Sequence, residues 1–240
     1  MKLWIGYDKR EDIAFRVCRA TAKRYHPEIR TEKLSLDYPE IANVYTRVFT
    51  TEHGQYIDTL TGQPFSTEFS FSRFLIPHLE GYKGWAAYCD CDFLFRGDIR
   101  NLYDLADDRF AVMVVPHDHR PKEETKMDGV RQTRYFRKNW SSLMLINCGH
   151  PSNAKLTPEK VNTMPGSWLH GFQWLDEGEI GTLPEEWNWL VGKDKPISPT
   201  THYRRSSTIM AVHMTEGGPW FPGFENCPYA AEWRAAERML

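Results

Sequence analysis

The chain has 240 residues, 41% hydrophobic and 26% charged, with a formal net charge of −2; that length suffices for one large α/β core and predicts a single domain over 1–240. The near-neutral balance gives no electrostatic ground for a nucleic-acid partner, although basic clusters at 131–138 and 203–205 leave a modified-polymer acceptor open. The opening residues are too short and too soon charged for a signal peptide, and no apolar run reaches membrane-spanning length, so a cytoplasmic protein with no membrane span is expected.

In chain order, residues 3–7 read as a first strand closed by Asp8, and 12–24 follow with Ile13, Val17 and Ala20 at helical spacing. A strand, a tight turn and a helix open a nucleotide-binding α/β sheet. Such sheets bind ligands at the carboxyl ends of their strands, which is where Gly6, Tyr7 and Asp8 fall. Neither Gly-x-Gly-x-x-Gly nor a phosphate-loop Gly-Lys-Ser/Thr occurs, so dinucleotide redox and simple kinase or ATPase chemistry lose their main support. A second strand is predicted over 30–36. The polar, aromatic-bearing stretch 37–66, with a turn at Thr61-Gly62-Gln63-Pro64, predicts a hairpin or a lid. Phe71, Phe74 and Leu75 give 69–79 a helical spacing around one embedded cation, Arg73, which reads either as a surface ion pair or as a phosphate or base contact.

The apolar run at 85–95 is broken by Asp90-Cys91-Asp92. Two carboxylates at the end of a buried strand repel one another unless a cation lies between them. A hard divalent ion, Mg2+ or Mn2+, would serve and would keep positions open for diphosphate oxygens; the alternative is a solvated turn. Cys89 and Cys91 fall on one buried face with Asp90 on the other. Five scattered cysteines (Cys18, Cys89, Cys91, Cys148, Cys227) suit reduced thiols better than a disulfide framework.

Further on, 99–105 predicts a short helix and 110–116 a buried strand. His117-Asp118-His119 is a metal-pair spacing for which a solvated loop is the stronger reading, and 120–138 is charged and solvent-facing. Residues 140–147 form a strand ending at Asn147, and 156–161 a helix with Pro158 at its first position. The segment 168–175 is short and amphipathic, carrying His170 and Gln173. A late strand is predicted at 179–184, then a turn bearing Trp187 and Trp189. The strand at 209–215 delivers His213, a sharp turn follows at 217–220, and 230–239 closes as a helix. Of nine tryptophans, Trp85, Trp168 and Trp220 stand next to or near Gly or Pro, as in the flat wall of a sugar site or an ordinary core edge.

Asp8, the aspartate pair, Asn147 and His213 thus stand at separate strand ends, which a parallel sheet gathers on one rim. At this point the chain resembles glycosyltransferase family 8 and related bacterial and phage nucleotide-sugar glycosyltransferases. The resemblance is carried by Ile5-Gly6-Tyr7-Asp8, Ser72-Arg73-Phe74-Leu75-Ile76-Pro77, Asp90-Cys91-Asp92, the 140–147 strand, and Leu183 to Asn188 followed by His213-Met214-Thr215-Glu216-Gly217-Gly218-Pro219-Trp220. It implies a GT-A fold, a mostly parallel Rossmann-like sheet flanked by helices. It also implies metal-dependent transfer of a sugar from a UDP-sugar to an acceptor hydroxyl with retention at the anomeric carbon. Asp90, Asp92 and His213 would hold Mn2+ or Mg2+. Gly6, Tyr7, Asp8, Arg73, Cys91, Gly217 and Gly218 would line the nucleotide-sugar site. Asn147, His170, Gln173 and Asp176 are candidates to face the reacting carbon. The family's closing lysine is absent, glycine standing before Pro219, so Arg73, Arg204 or Arg205 would have to supply its charge. Two rivals remain: a nucleotide-sugar binding protein that does not catalyse, supported by the missing lysine, and a metal-dependent nucleotidyltransferase. Acceptor choice is expected in 37–66, 120–138 and 166–190, because loops carry specificity on a fixed scaffold.

Overall fold

The computed structural model describes residues 1–117, 137–192 and 208–240. The His117-x-His119 pair, the basic cluster at 203–205 with Arg204 and Arg205, and most of 120–138 fall wholly or partly outside the described residues.

The strands are β1 (Lys2–Gly6), β2 (Arg30–Leu34), β3 (Phe49–Glu52), β4 (Gln55–Asp58), β5 (Pro64–Phe65), β6 (Trp85–Cys89), β7 (Phe93–Phe95), β8 (Val112–Val114), β9 (Leu143–Asn147), β10 (Ile180–Thr182), β11 (Trp189–Leu190) and β12 (Ala211–His213). The main sheet has six strands in the order β10-β8-β9-β6-β1-β2. Its central strands are apolar runs buried along nearly their whole length, as expected where helices and loops cover both faces. The expected α/β, mostly parallel sheet is therefore present.

One strand breaks the parallel pattern, with a consequence for the site. β9 pairs antiparallel with both β6 and β8, in the register Trp85↔Asn147 and Cys89↔Leu143. The carboxyl end of β9 therefore lies beside the start of β6, and the amino end, with Ser141 and Ser142, lies beside Asp90. Asn147 is removed from the rim on which it was expected: its carbonyl accepts from Asn153 Nδ2 at 2.7 Å and its N–H donates to the Ala111 carbonyl at 3.0 Å. Apolar periodicity marks a strand without giving its direction, and the assumption of a parallel strand reversed this one.

Two smaller sheets complete the frame. In the order β11-β12-β7, β12 runs antiparallel to β7 with His213 opposite Phe93. The unorganised stretch 37–66 contains the antiparallel sheet β3-β4-β5. A fully buried ion pair ties this sheet down: Arg47 Nη2 reaches Asp58 Oδ2 at 2.7 Å, and Arg47 Nη1 donates to the carbonyls of Val161 and Met164. The Asp12–Tyr25 helix buries Val17 in a cluster with Leu94, Val212, Met214 and Trp233, the last from the C-terminal helix Ala230–Glu237. Pro158 opens the Pro158–Thr163 helix, whose cap Thr157 accepts from the Lys160 N–H at 3.3 Å. Among the described residues no helix is long and apolar enough to cross a membrane.

Candidate active site

The connection from β6 to β7 carries the two aspartates. Strand β6 ends at Cys89; one residue further in the same register the Asp90 N–H still donates to the Ser142 carbonyl at 2.9 Å, and the Asp90 Oδ1 accepts from the Tyr88 hydroxyl at 2.7 Å. Cys89 and Cys91 turn into the core as expected, with Cys89 Sγ 3.7 Å from Cys18 Sγ. The antiparallel β7–β12 register brings His213 alongside, and the Met214 N–H closes onto the Asp92 carbonyl at 3.0 Å. One ligand atom from each of Asp90, Asp92 and His213 then lies within 4.8 Å of the others.

A second layer sets the proton on the histidine. Asn188, fully buried, donates through Nδ2 to Ser142 Oγ at 3.0 Å and to the Asn139 carbonyl at 3.3 Å. Its Oδ1 is therefore the atom facing His213 Nδ1 at 2.9 Å, and it accepts. This network leaves Nε2 of His213 with its lone pair toward Asp92 Oδ2, 3.3 Å away. A lone pair and a carboxylate at that distance repel until a cation or a proton lies between them. Two carboxylates and an imidazole locked at its far nitrogen are a donor set for a divalent ion of the Mn2+ type. The residues present therefore fit the metal.

Above this floor opens a cleft of about 320 Å³, lined among others by Arg73, Cys91, Lys138, Ser141, His170 and Gly217. Arg73 is buried, pairs with Asp90 Oδ1 at 2.7 Å and donates to the Ser141 carbonyl at 2.9 Å. Burial pushes the Asp90 carboxyl above the usual carboxylate range, with Arg73 opposing the shift and Asp92 adding to it. His170 is fixed through Nδ1, 2.7 Å from Ser141 Oγ. Burial first, and then Arg73, Lys138 and Arg47, hold its imidazole well below the ordinary histidine range, so it is neutral at physiological pH.

Other expected site residues stand elsewhere. The Asp8 carboxylate is enclosed by Arg10, with Nη2 at 2.8 Å, and by the Glu68 N–H at 3.1 Å, so it braces the cleft wall from behind. Tyr7 turns its hydroxyl to Asp12 at 3.1 Å and its ring face to Lys33 Nζ at 3.4 Å. Gly6 is required by packing, since a Cβ there would lie 2.6 Å from the Phe69 ring and 2.8 Å from the Tyr88 hydroxyl. Gln173 and Asp176 are exposed and outside the cleft, and Asp176 caps a short 3-10 turn. At Gly218 a Cβ would meet the Trp220 ring at 1.9 Å, which makes it a packing glycine beside the cleft-lining Gly217. The tryptophans do not wall the cleft either: Trp220 packs on Trp233, Trp168 on Trp174, and Trp85 donates to Asp108. Its aromatic lining is Phe65, Phe69, Phe71 and Phe221. Sequence reasoning assigned no role to Ser141, Ser142 or Asn188 and passed over Lys138 and Asn139; the polar cluster just ahead of an apolar strand was the available signal.

No protein-family model matches the chain. Its fold is that of the GT-A glycosyltransferases. The galactosyltransferase LgtC, solved in complex with donor and acceptor sugar analogues, superposes with a TM-score of 0.63 at 16% identity, covering 100% of this chain and 96% of LgtC. The glycosyltransferase GlyE of Streptococcus pneumoniae TIGR4 gives 0.60 at 15% identity, covering 98% of this chain and 60% of GlyE. Protein CDI of Arabidopsis thaliana is 47% identical over 234 residues, which span 97% of this chain and 84% of that protein. At that level of identity over almost its whole length, the chain belongs to the family of protein CDI.

Proposed function

We propose that the protein is a glycosyltransferase of one catalytic domain that moves a sugar from a UDP-sugar to an acceptor hydroxyl, with retention and with Mn2+ or Mg2+ as its cofactor. The observation that carries this reading is the floor of the cleft, where His213 Nε2 faces Asp92 while Asn188 holds Nδ1. Asp90, Asp92 and His213 would hold the metal, which when bound supplies positive charge against a departing diphosphate. Arg73 balances Asp90 and orders the cleft wall through Ser141. His170 is the one of the four candidates for the reacting centre that lines the cleft. It meets a sugar hydroxyl as a neutral imidazole whose orientation is set by Ser141. The acceptor would enter between the 61–67 segment and Pro165-Gly166-Ser167, which face the cleft from different parts of the chain. We assign the reaction to the cytoplasm, in keeping with the odd number of dispersed cysteines.

The test is UDP release from a panel of UDP-sugars with and without Mn2+, with no acceptor added. Metal-dependent hydrolysis of one donor is expected, and Asp92→Asn should abolish it while leaving the folded state intact. Metal-dependent UDP binding without release from any donor would favour the non-catalytic reading, and release of pyrophosphate from a nucleoside triphosphate the nucleotidyltransferase. The absence of both donor-derived UDP release and Mn2+-dependent UDP binding would overturn the proposal.

A further inference from the structure

The two segments that frame the acceptor path line it with apolar surface: Pro64, Phe65 and Phe71 from one side, Pro165 and Gly166 from the other. Phe65 and Phe71 are buried and form the back of this slot, while Pro64 is half-buried and Pro165 exposed. The two rings belong to one aromatic ladder. Tyr56 stacks on Phe65 with ring centroids 5.4 Å apart, and Phe65 leans on Phe71 at 5.0 Å. A guanidinium closes each end, Arg10 at 4.1 Å from the Tyr56 ring centre and Arg47 at 4.0 Å from that of Phe71. Each is held in turn by a buried carboxylate, Asp8 at 2.8 Å and Asp58 at 2.7 Å, so the ladder is fixed from both ends before any ligand arrives. The Phe71 ring centre lies 6.2 Å from that of His170, so the slot leads to the side chain assigned above to the reacting centre.

The polar groups on this side are engaged within the protein. Thr61 Oγ1 donates to Asp58 Oδ2 at 2.5 Å, and Thr67 Oγ1 and Ser70 Oγ are 3.1 Å apart. Arg10, besides holding Asp8, donates to the carbonyls of Gly54 at 3.1 Å and Ser66 at 2.5 Å. The other polar side chains that these segments bring to the slot, Gln63, Ser66 and Ser167, are exposed or half-buried and stand at its mouth. Among the described residues, neither 61–71 nor 165–167 lines the cleft with a carboxylate. A polyol pressed against proline and phenylalanine would leave hydroxyls without partners, which is costly. An aromatic ring would instead add one more offset or edge-to-face contact to rings already arranged that way.

We infer that the acceptor is a small aryl alcohol of the phenol class, its ring seated among Pro64, Phe65, Phe71 and Pro165 and its hydroxyl directed toward His170. The hydroxyl oxygen forms the new bond to the anomeric carbon. The bond from that carbon to the diphosphate oxygen breaks with its electron pair staying on the oxygen, which also receives the hydroxyl proton. This inference rests on the donor reading proposed above and names the acceptor class for it.

The test takes the donor that is hydrolysed in the panel above and adds naphthol, cyclohexylmethanol, methyl hexosides or N-acetyltyrosinamide. It reads UDP release above basal hydrolysis and the mass of the product. Naphthol should raise release and yield a naphthyl glycoside, while the methyl hexosides and cyclohexylmethanol leave release at the basal level. Gly166→Ala, whose new Cβ meets the Phe71 ring at 2.8 Å, should raise the KM for naphthol about tenfold, the effect of one methyl group in an apolar pocket. Pro165→Ser, at an exposed position, should raise it less, and thermal unfolding is the folding control for both. Stimulation by methyl hexosides without naphthol, or by cyclohexylmethanol as strongly as by naphthol, would overturn the inference. So would stimulation by N-acetyltyrosinamide alone, which would put the ring on a protein, an unchanged KM in both folded variants, or no stimulation by any acceptor. In each of these cases basal hydrolysis leaves the donor reading standing. No release from any donor would overturn both.

Discussion

Asn188 stands behind His213 of the proposed metal site, and on that proposal metal binding depends on it. Replacing it by alanine removes the acceptor 2.9 Å from His213 Nδ1 and the donors to Ser142 and Asn139. The imidazole then keeps only the longer contact of Nδ1 with Ser142 Oγ, 3.3 Å away, and the competing tautomer with the proton on Nε2 points that proton at the proposed metal position. Loss of an outer-shell partner of this kind costs about 10- to 100-fold in metal affinity, which is about 1.4 to 2.8 kcal/mol at roughly 1.4 kcal/mol per decade. The metal-free protein also loses about 1 to 3 kcal/mol of folding stability, since buried groups of His213, Ser142 and Asn139 each lose a hydrogen-bond partner. Asn188→Asp is the discriminating companion. It keeps an acceptor at the Oδ1 position and forfeits only the donors, so Mn2+ affinity should stay within a few-fold of wild type while the unfolding midpoint still drops. The measurements are Mn2+ titration by calorimetry and urea unfolding without metal. A folded Asn188→Ala protein with wild-type Mn2+ affinity would refute the reasoning, because Nε2 of His213 would then not be a ligand whose tautomer Asn188 sets.

Two further outcomes follow from packing and charge. Gly6→Ala should cost about 1 to 3 kcal/mol by overpacking, because the new Cβ meets the Phe69 ring at 2.6 Å; an unchanged urea midpoint would contradict it. Arg47→Met leaves the Asp58 carboxylate buried without its ion-pair partner and should cost about 3 to 5 kcal/mol. Although burial raises the Asp58 carboxyl, hydrogen bonds from Arg47 and Thr61 outweigh it and hold the pKa below the usual value. The contribution of the pair is therefore present above the unfolded carboxylate pKa and is lost as pH falls through the lower, folded one. Urea midpoints between pH 3 and pH 7 should show that acid dependence in the wild type and a weaker one in Arg47→Met; parallel profiles would refute it.

The elements most legible in the sequence were those whose physics is local. Residues 85–89 are an apolar run halted by charge, and a run so halted beside a core has to stop being a strand, so the position of the aspartate pair could be read directly. His213 could be read the same way, as a polar residue at the end of a short apolar strand. What local pattern does not carry is strand direction. Asn147 and Ser142 bracket the same four apolar residues, Leu143 to Ile146, and only the pairing with β6 decides which end meets Asp90. The tryptophans misled for a related reason. A large ring beside glycine or proline satisfies packing and recognition equally well, and here Trp220 and Trp168 found other indoles to pack on.

The charge balance of the cleft extends this point. Read along the chain, the turn after His213 lacks a cation where the resemblance calls for one, and that gap is the strongest sequence argument against catalysis. Electrostatic stabilisation, however, depends on where a charge lies relative to the oxygen that receives it, not on which strand end supplies it. The reversal of β9 turns the segment ahead of it, residues 137–142, toward the aspartates. It thereby brings Ser141 to His170, Ser142 to Asn188, and Lys138 into the lining of the cleft. The topological feature that removes Asn147 from the site is thus the one that admits a lysine.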